Sequence, residues 1–577
     1  MQEAVGSPSS NGIAEQRVAG ETVDLDTPLH DLAAAVAGEV VPKADHSFDR
    51  HFSFPFAPGR SRFFGASSVF TLTVEVLRHA MAKDILQEEE PVQHDPSLLK
   101  LRLHDEVDMH LATESYSQPS LVRALFRLFF DSSNTLYGIL DETVARRDLE
   151  DYIALQACGS ISATDLHGDQ AHCFFRISMV CSIAAATQAR YHPYRDMLAL
   201  TFYKDALPCV AEVTAEVSVA SLQALLLLTV FCLFYPRDGD IWKLLDYSCR
   251  LSLELGYHVE GSASEDEAQC RLRRRTFWGL YAIERIVGQL FGRASDLPEP
   301  IITAEYPSSV HASVKEPTID QASFQSVSIS HHYRLVYLRS EIFRDLYLPA
   351  MPVRRELGWY KERYNTLYNW RQELQVPSEH TGVATVTCDV GYHSSICFLF
   401  QPLLLEAVWR TGSDSAHTSH SSCPVPQDNY WSACALIRTY DMVMTAPENS
   451  ALGGEHTDGQ QGSTETCTDP YTHHYVGYPI TFLSAHYIYL AGLTLMTHAL
   501  LAIDGRIICY ESFVPSGLDS PATTSIDFEG LLGVSNSCLV LLAFCARRWP
   551  GMEGMLSVYK KLADRCILAL IRKGLIN

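Results

Sequence analysis

Apolar residues recur at three- and four-residue spacing along most of this 577-residue chain, and no segment sustains a two-residue alternation. The segment 120–140, SLVRALFRLFFDSSNTLYGIL, shows the helical spacing, and the amphipathic segment 241–258 stops at Gly256. This spacing places apolar side chains on one face of an α-helix, whereas a half-buried strand needs alternation. The sequence therefore predicts an all-α fold, with a large multi-helix globular domain.

Changes in composition divide the chain into three parts. Residues 1–60 are rich in Ser, Gly, Pro and Asp and are expected to form a disordered tail, because they offer little apolar surface to bury. Residues 61–385 are expected to form the main helical domain, and residues 386–577 a C-terminal helical part packed on it. The polar stretches 410–428 and 452–470 are expected to be surface loops.

The chain carries a formal net charge of −23. This acidity disfavours broad attraction to DNA or to an anionic membrane, so a nucleic-acid contact needs a local basic surface. Sixteen cysteines are scattered without C-x-x-C spacing, and most stand in apolar runs, as Cys232 and Cys545 do. Since the first residues lack the basic and apolar regions of a signal peptide, we expect free core cysteines in a reducing compartment.

The segment 480–503 contains no Lys, Arg, Asp or Glu and nearly reaches the roughly 20 apolar residues that a membrane span needs. It also contains His486 and His498, and Asp504 follows it directly. Ionisable side chains are rare inside membranes, and a helix that is apolar all round can equally form the centre of a large protein. We expect a buried helix here, with a membrane span as the alternative.

Residues 271–291, RLRRRTFWGLYAIERIVGQLF, combine a row of arginines with a long apolar stretch. A helix that reads DNA presents polar side chains outward, whereas large apolar side chains cover more than half of this helix. We therefore predict a core helix with its arginine-rich end at the surface; the basic run is also compatible with nuclear import. Trp278 and Tyr281 are expected to be deeply buried. Glu284 and Arg285 are expected to pair with neighbouring helices, since an unpaired buried charge is costly.

The sequence offers weak candidates for metal sites and no enzyme signature. His417, His420 and Cys423 have a spacing that zinc accepts, but no fourth ligand is near, and we interpret them as part of a solvated loop. The pairs His331–His332 and His473–His474 lack an H-E-x-x-H context and are expected at the surface or at helix ends. Phosphate loops, nucleophile elbows and adjacent aspartates are absent from the sequence. No catalytic, cofactor-binding or metal-binding residue is predicted, and the chain is not expected to be an enzyme.

Five motifs occur in this order along the chain: RFFGASSVFTLTVEVL, LVRALFRLFFDSSNTLYGILDE, SLQALLLLTVFCLFY, IWKLLDYSCRLSLELGYH and RLRRRTFWGLYAIERIVGQLFGRASDLPEP. Together they resemble the regulatory (middle homology) domain of fungal zinc-cluster transcription factors, over about residues 62–566. The last motif is similar to the family's R-R-x-h-W-W-x-h-Y-x-h-D-R, which ends in G-R-P. The signature positions are Arg274, Arg275, Trp278, Tyr281, Glu284, Arg285, Gly292 and Arg293. Glu284 replaces the usual Asp and Ala294 the usual Pro.

The resemblance implies an all-α body, with residues 61–385 as the regulatory domain, and a nuclear location. Members of the family bind DNA through six cysteines that hold two zinc ions, but this sequence has no cysteine before Cys158. No DNA-binding residue is therefore carried over, and no cofactor is expected; zinc is expected only if a six-cysteine cluster is missing from this sequence. Three explanations stay open: a sequence that starts too late, a variant that acts through a DNA-binding partner, or a protein that keeps only a sensing and regulatory role.

The function predicted from these observations is that of a nuclear transcriptional regulator of the zinc-cluster type, acting without its own zinc cluster. The resemblance alone implies control of a secondary-metabolite gene cluster. The expected partners are a DNA-binding protein or the transcription machinery, a small-molecule effector and a second copy of the chain, with no membrane and no direct nucleic-acid contact. The alternative is a helical small-molecule-binding protein or an enzyme.

Overall fold

A computed structural model of the chain describes most of residues 52–576. The described residues are 52–57, 60–83, 85–86, 118–157, 163–191, 193–261, 266–307, 321–348, 355–374, 382–409, 425–446, 477–505, 513, 528, 530–549 and 552–576. Several predictions fall outside them: residues 1–51 of the tail, the 452–470 loop, the set His417, His420 and Cys423, and the pair His473–His474.

Helices dominate the described part of the chain, which confirms the all-α prediction. In chain order they are α1 Val69–Ala82, α2 Pro119–Asp131, α3 Ser133–Tyr137, α4 Glu142–Ala157, α5 Gly168–Gln188, α6 Pro193–Ala206, α7 Val210–Val213, α8 Val219–Phe234, α9 Ile241–Glu254, α10 Glu267–Phe291, α11 Gln321–Leu346, α12 Leu357–Glu373, α13 Val383–Trp409, α14 Gln427–Thr445, α15 Phe482–Ile503, α16 Leu531–Arg548 and α17 Glu553–Arg572. Short 3₁₀ turns cover Ala163–Asp165, Leu207–Cys209 and Glu299–Ile301.

One small β-hairpin precedes the helices. Strand β1, Phe52–Ala57, pairs antiparallel with β2, Arg60–Phe64, and Phe52 lies opposite Phe64 in the register. The hairpin begins before residue 60, the predicted end of the tail. The sequence FSFPF alternates Phe with other residues over five positions, a strand pattern too short to count as sustained alternation.

Local signals in the sequence account for where several helices begin and end. Ser68 caps α1 by accepting a hydrogen bond from the Phe70 amide over 3.2 Å, and Asp240 caps α9 in the same way. Such side chains satisfy first-turn N–H groups that have no partner within the helix. After α9 the chain turns at Gly256 with φ +72°, as the sequence predicted, because glycine adopts this left-handed conformation without strain.

The helices enclose one continuous apolar core that draws on both predicted domains. The predicted boundary between residues 385 and 386 lies in the first turn of α13, and the division into two domains stays a prediction. Part of the predicted 410–428 loop is helical, because α14 begins at Gln427; residues 410–424 lie outside the described chain.

Helix α15 occupies the centre of the C-terminal helices, as its uncharged sequence predicted. It packs against α13, α14, α16, α17 and α1, and all of its residues except Ala502 are buried. The two histidines of this segment are buried and have polar neighbours. His486 Nδ1 lies 3.0 Å from Phe482 O in the same helix, and His498 Nε2 lies 3.3 Å from Asn429 Nδ2 in α14. By length and composition alone, α13, α15 and α16 are apolar enough to cross a membrane. In α15, however, 94% of the most apolar 18-residue stretch is buried inside the protein.

Candidate functional site: helix α10 and the cavity beside it

The aromatic half of α10 lies in the core. Tyr281 is fully buried and Trp278 is 3% exposed, which confirms the prediction for both residues. The Trp278 ring stacks on Tyr306 with a centroid distance of 4.4 Å, and its Nε1 donates to the Glu305 carbonyl over 2.9 Å. Because the indole finds a partner for its polar group as well as for its ring, this part of α10 is a packing element.

Two of the four arginines at the start of α10 pair with carboxylates. Arg274 Nε donates to both oxygens of Glu260 over 3.1 Å, and its Nη2 reaches Glu305 over 2.9 Å. Arg271 pairs with Glu267 over 2.9 Å. Burial disfavours the charged form of Glu260, but the hydrogen bonds from Arg274 and from the Glu305 amide outweigh it and lower its pKa to about 2. Arg271 and Arg274 are therefore matched by acidic side chains.

A charged network continues along α10. Arg285 Nη2 donates to Glu299 Oε1 over 3.0 Å, and the Tyr281 hydroxyl donates to the same oxygen over 2.7 Å. Glu284 accepts from Arg285 over 2.6 Å, from the Ser295 hydroxyl over 3.0 Å and from a backbone amide, that of Asp296, over 3.1 Å. Burial raises the pKa of Glu284 against the pull of Arg285.

Glu284 and Arg285 are paired, as predicted, but their partners do not lie on the neighbouring α-helices. The sequence predicted contacts with neighbouring helices, but the two residues pair with each other and with the segment 295–299, directly after their own helix. The cause is the turn at Gly292, where φ is +73° and the chain reverses alongside α10. A left-handed residue that ends the helix thus supplies the partners for its buried charges.

The end of α10 touches the start of the folded chain. Gly65 donates its amide to the Phe291 carbonyl over 3.0 Å, and a Cβ on Gly65 would lie 2.1 Å from the Gly292 oxygen. Arg293 lies over the Trp242 ring, 3.9 Å from its centroid. The two backbones meet so closely that neither glycine can carry a side chain in this arrangement.

The signature positions occupy three places along α10. Trp278, Tyr281, Glu284 and Arg285 form one cluster with residues 295–306, and Arg274 joins it through Glu305. Arg275 donates to the Asn134 carbonyl over 3.3 Å, and Gly292 and Arg293 lie at the opposite end of the helix. Their role as a family signature stays a prediction.

The opposite side of α10 borders a cavity of about 80 Å³. Ala282 and Ile286 form part of its wall, and His332, Tyr137 and Tyr487 come from α11, α3 and α15. Tyr478 and the residues just before α15 also line it. Tyr137 and Tyr487 could not be predicted as neighbours, since nothing in the sequence links such distant residues.

The pair His331–His332 was predicted at the surface or at a helix end, and this was wrong. Both residues lie in the middle of α11 and are buried. His331 stacks on Trp370 with a centroid distance of 4.3 Å, and its Nε2 lies 2.8 Å from the Trp370 carbonyl. Burial lowers the pKa of His331 to about 4 and that of His332 to about 3, so both are neutral at physiological pH.

Comparisons with known proteins agree on a family. Residues 127–372 match the fungal specific transcription factor domain, a span that runs from α2 to α12 and includes all of α10. Pyrimidine pathway regulatory protein 1 of Saccharomyces cerevisiae is 26% identical over 39% of this chain and 27% of its own length. Negative regulator of pleiotropic drug resistance STB5 of Candida glabrata is 23% identical over 34% of this chain and 20% of its own length.

A third relative is the positive regulator of purine utilization of Emericella nidulans, which is 26% identical over 32% of this chain and 23% of its own length. The chain thus matches about a quarter of the length of these relatives. All three are named as regulators. Residues 127–372 of this chain therefore match a fungal specific transcription factor domain, and the relatives that share this region are regulators.

Proposed function

We propose that this chain is a nuclear transcriptional regulator whose helical body acts through protein contacts. The family match at residues 127–372 is the observation that carries the proposal. The structure of α10 supports it, because carboxylates hold two of its four N-terminal arginines, Arg271 and Arg274, and its aromatic half is buried. A helix with these contacts packs inside the body and does not present its aromatic half to DNA.

The proposed partner is a DNA-binding protein or the transcription machinery. Two features support an indirect route to DNA for these 577 residues: the net charge of −23, and the carboxylates that pair with Arg271 and Arg274. Control of a secondary-metabolite gene cluster and formation of a homodimer stay predictions.

The regulatory activity is tested by tethering. The full chain is fused to a heterologous DNA-binding domain and expressed in a fungal cell that carries a reporter gene with the matching site. We expect reporter expression to change several-fold, in either direction, relative to the DNA-binding domain alone. The proposal fails if a fusion that accumulates in the nucleus at the same level leaves the reporter unchanged.

The indirect route is tested separately with purified chain. We expect no change in the anisotropy of labelled duplex DNA at 150 mM salt, and recovery of a sequence-specific DNA-binding protein when the tagged chain is purified from its own cells. Saturable DNA binding by the purified chain alone would refute this part of the proposal and leave the tethering result intact.

A further inference from the structure

Three of the side chains that line the cavity beside α10 carry hydrogen-bonding groups without a partner within the described chain. His332, Tyr137 and Tyr487 line it from three different helices, and none of them makes a hydrogen bond to another described residue. His332 and Tyr487 are each 7% exposed. Tyr137 is partly buried, and His332 Nδ1 is a buried atom without a partner. Buried polar groups in folded proteins nearly always have partners, so the contents of the cavity are placed to complete the hydrogen bonds of these side chains.

The cavity wall excludes charged ligands. Among the described residues that line it, none is Lys, Arg, Asp or Glu. Burial, reinforced by the charge of Arg339, lowers the pKa of His332 to about 3, so this ring is neutral and offers one acceptor and one donor nitrogen. A carboxylate or an ammonium group would lose its hydration here without gaining an opposite charge.

The size of the cavity limits the ligand to a few atoms. Its volume of about 80 Å³ corresponds to roughly two or three water molecules, and it is smaller than an apolar cavity that admits benzene. We infer that this cavity is a binding site for a small uncharged molecule of the amide or azole class, recognised by the hydroxyls of Tyr137 and Tyr487 and by the His332 ring.

The position of the site gives its occupant a structural effect. Tyr137, Ala282 and His332 lie within the matched residues 127–372, whereas Tyr487 lies on α15 and Tyr478 lies just before it. A molecule bound between these groups stabilises the packing of the two parts by mass action. This inference goes beyond the proposed function, and its test does not depend on gene regulation.

The test uses probes matched in shape. Acetamide and acetate have the same number of non-hydrogen atoms and differ in charge, and pyrazole is an uncharged aromatic probe. Saturation-transfer NMR on the full chain at pH 7.5 is expected to show binding of acetamide and pyrazole, with acetate at least tenfold weaker. The inference is overturned if neither uncharged probe binds, which would leave water as the occupant, or if acetate binds as well as acetamide.

Two variants locate the binding. Ala282→Leu is expected to fill the cavity and abolish the signals of both uncharged probes, while Tyr137→Phe keeps the ring and should weaken acetamide binding about tenfold, the effect of one lost hydrogen bond. Tyr247→Phe, at a tyrosine that is 56% exposed, is the control and should bind as the unmodified chain does. If Ala282→Leu folds and binds the probes unchanged, the probes bind elsewhere and the inference is overturned. If Ala282→Leu does not fold, unchanged acetamide binding in Tyr137→Phe overturns it instead.

Discussion

Arg285 Nη1 donates to Glu284 Oε2 over 2.6 Å, so two residues adjacent in sequence form an ion pair inside the core. Consecutive residues on a helix do not normally face each other. This pair meets because Glu299 and the segment 295–297 draw both side chains to the same side of α10. The network therefore depends on the chain reversal at Gly292 as much as on the helix itself.

Removal of the Arg285 charge is expected to be strongly destabilising. Arg285→Met leaves two carboxylates, Glu284 and Glu299, without their buried partner, and we expect a loss of about 3–5 kcal/mol in the free energy of unfolding. The control is Arg271→Met, which breaks an exposed pair with Glu267 and should cost less than about 1 kcal/mol. Urea unfolding followed by circular dichroism measures both, and equal losses would show that the network does not stabilise the core.

Tyr281→Phe tests the hydroxyl that reaches Glu299. The bond is 2.7 Å long and its acceptor is a carboxylate, so its loss is expected to destabilise the chain by about 1.5–3 kcal/mol while the ring packing is kept. Tyr247→Phe is the matched control because Tyr247 is 56% exposed. Thermal unfolding of the two variants should separate them clearly, and identical midpoints would count against a structural role for this bond.

Alanine is expected to have opposite effects at Gly65, which contacts Gly292, and at Gly358, which has open space around it. Gly65→Ala places a Cβ 2.1 Å from the Gly292 oxygen, which is backbone and cannot easily move, so we expect a loss of about 3 kcal/mol or more. Gly358→Ala in α12 meets nothing within 4 Å and should stabilise the chain by up to about 1 kcal/mol, because alanine favours the helix. A neutral Gly65→Ala in chemical denaturation would contradict the close approach.

The buried histidines predict a loss of stability in acid. The folded-state pKa of His331 is about 4, below its ordinary value of 6.5. The unfolded chain therefore binds a proton first, and stability that is complete above pH 6.5 declines as the pH falls towards 4. His331→Gln should remove this pH dependence, so that between pH 6.5 and 5 its free energy of unfolding falls by about 2 kcal/mol less than that of the unmodified chain. The control is His167→Gln, at an exposed histidine, which should follow the unmodified chain. Parallel curves for His331→Gln and the unmodified chain would refute the assignment.

The helical fold and the burial of α10 could be predicted from the sequence, because both follow from the three- and four-residue spacing of apolar side chains. Trp278 and Tyr281 stand at positions where a helix of this pattern must bury large side chains, and Ser68 and Gly256 mark helix ends by their own chemistry. These properties depend on neighbours within a few residues.

Features that depend on distant residues could not be predicted. The partners of Arg285 follow from the reversal at Gly292, and the burial of His331 follows from Trp370 on another helix. The cavity is formed by Tyr137, His332 and Tyr487, which the fold brings together from separate helices. The spacing of apolar residues along the chain does not predict contacts between residues on separate helices, so the cavity is seen only in the folded structure.

The central claim is that the aromatic half of α10 is an interior support of a helical regulator and not a surface that binds DNA. Hydrogen exchange of residues 276–291, measured by mass spectrometry with and without duplex DNA, tests it most directly. The account predicts exchange as slow as that of the buried helix α15, with no change when DNA is added. Exchange within seconds, or protection that appears only with DNA, would contradict it.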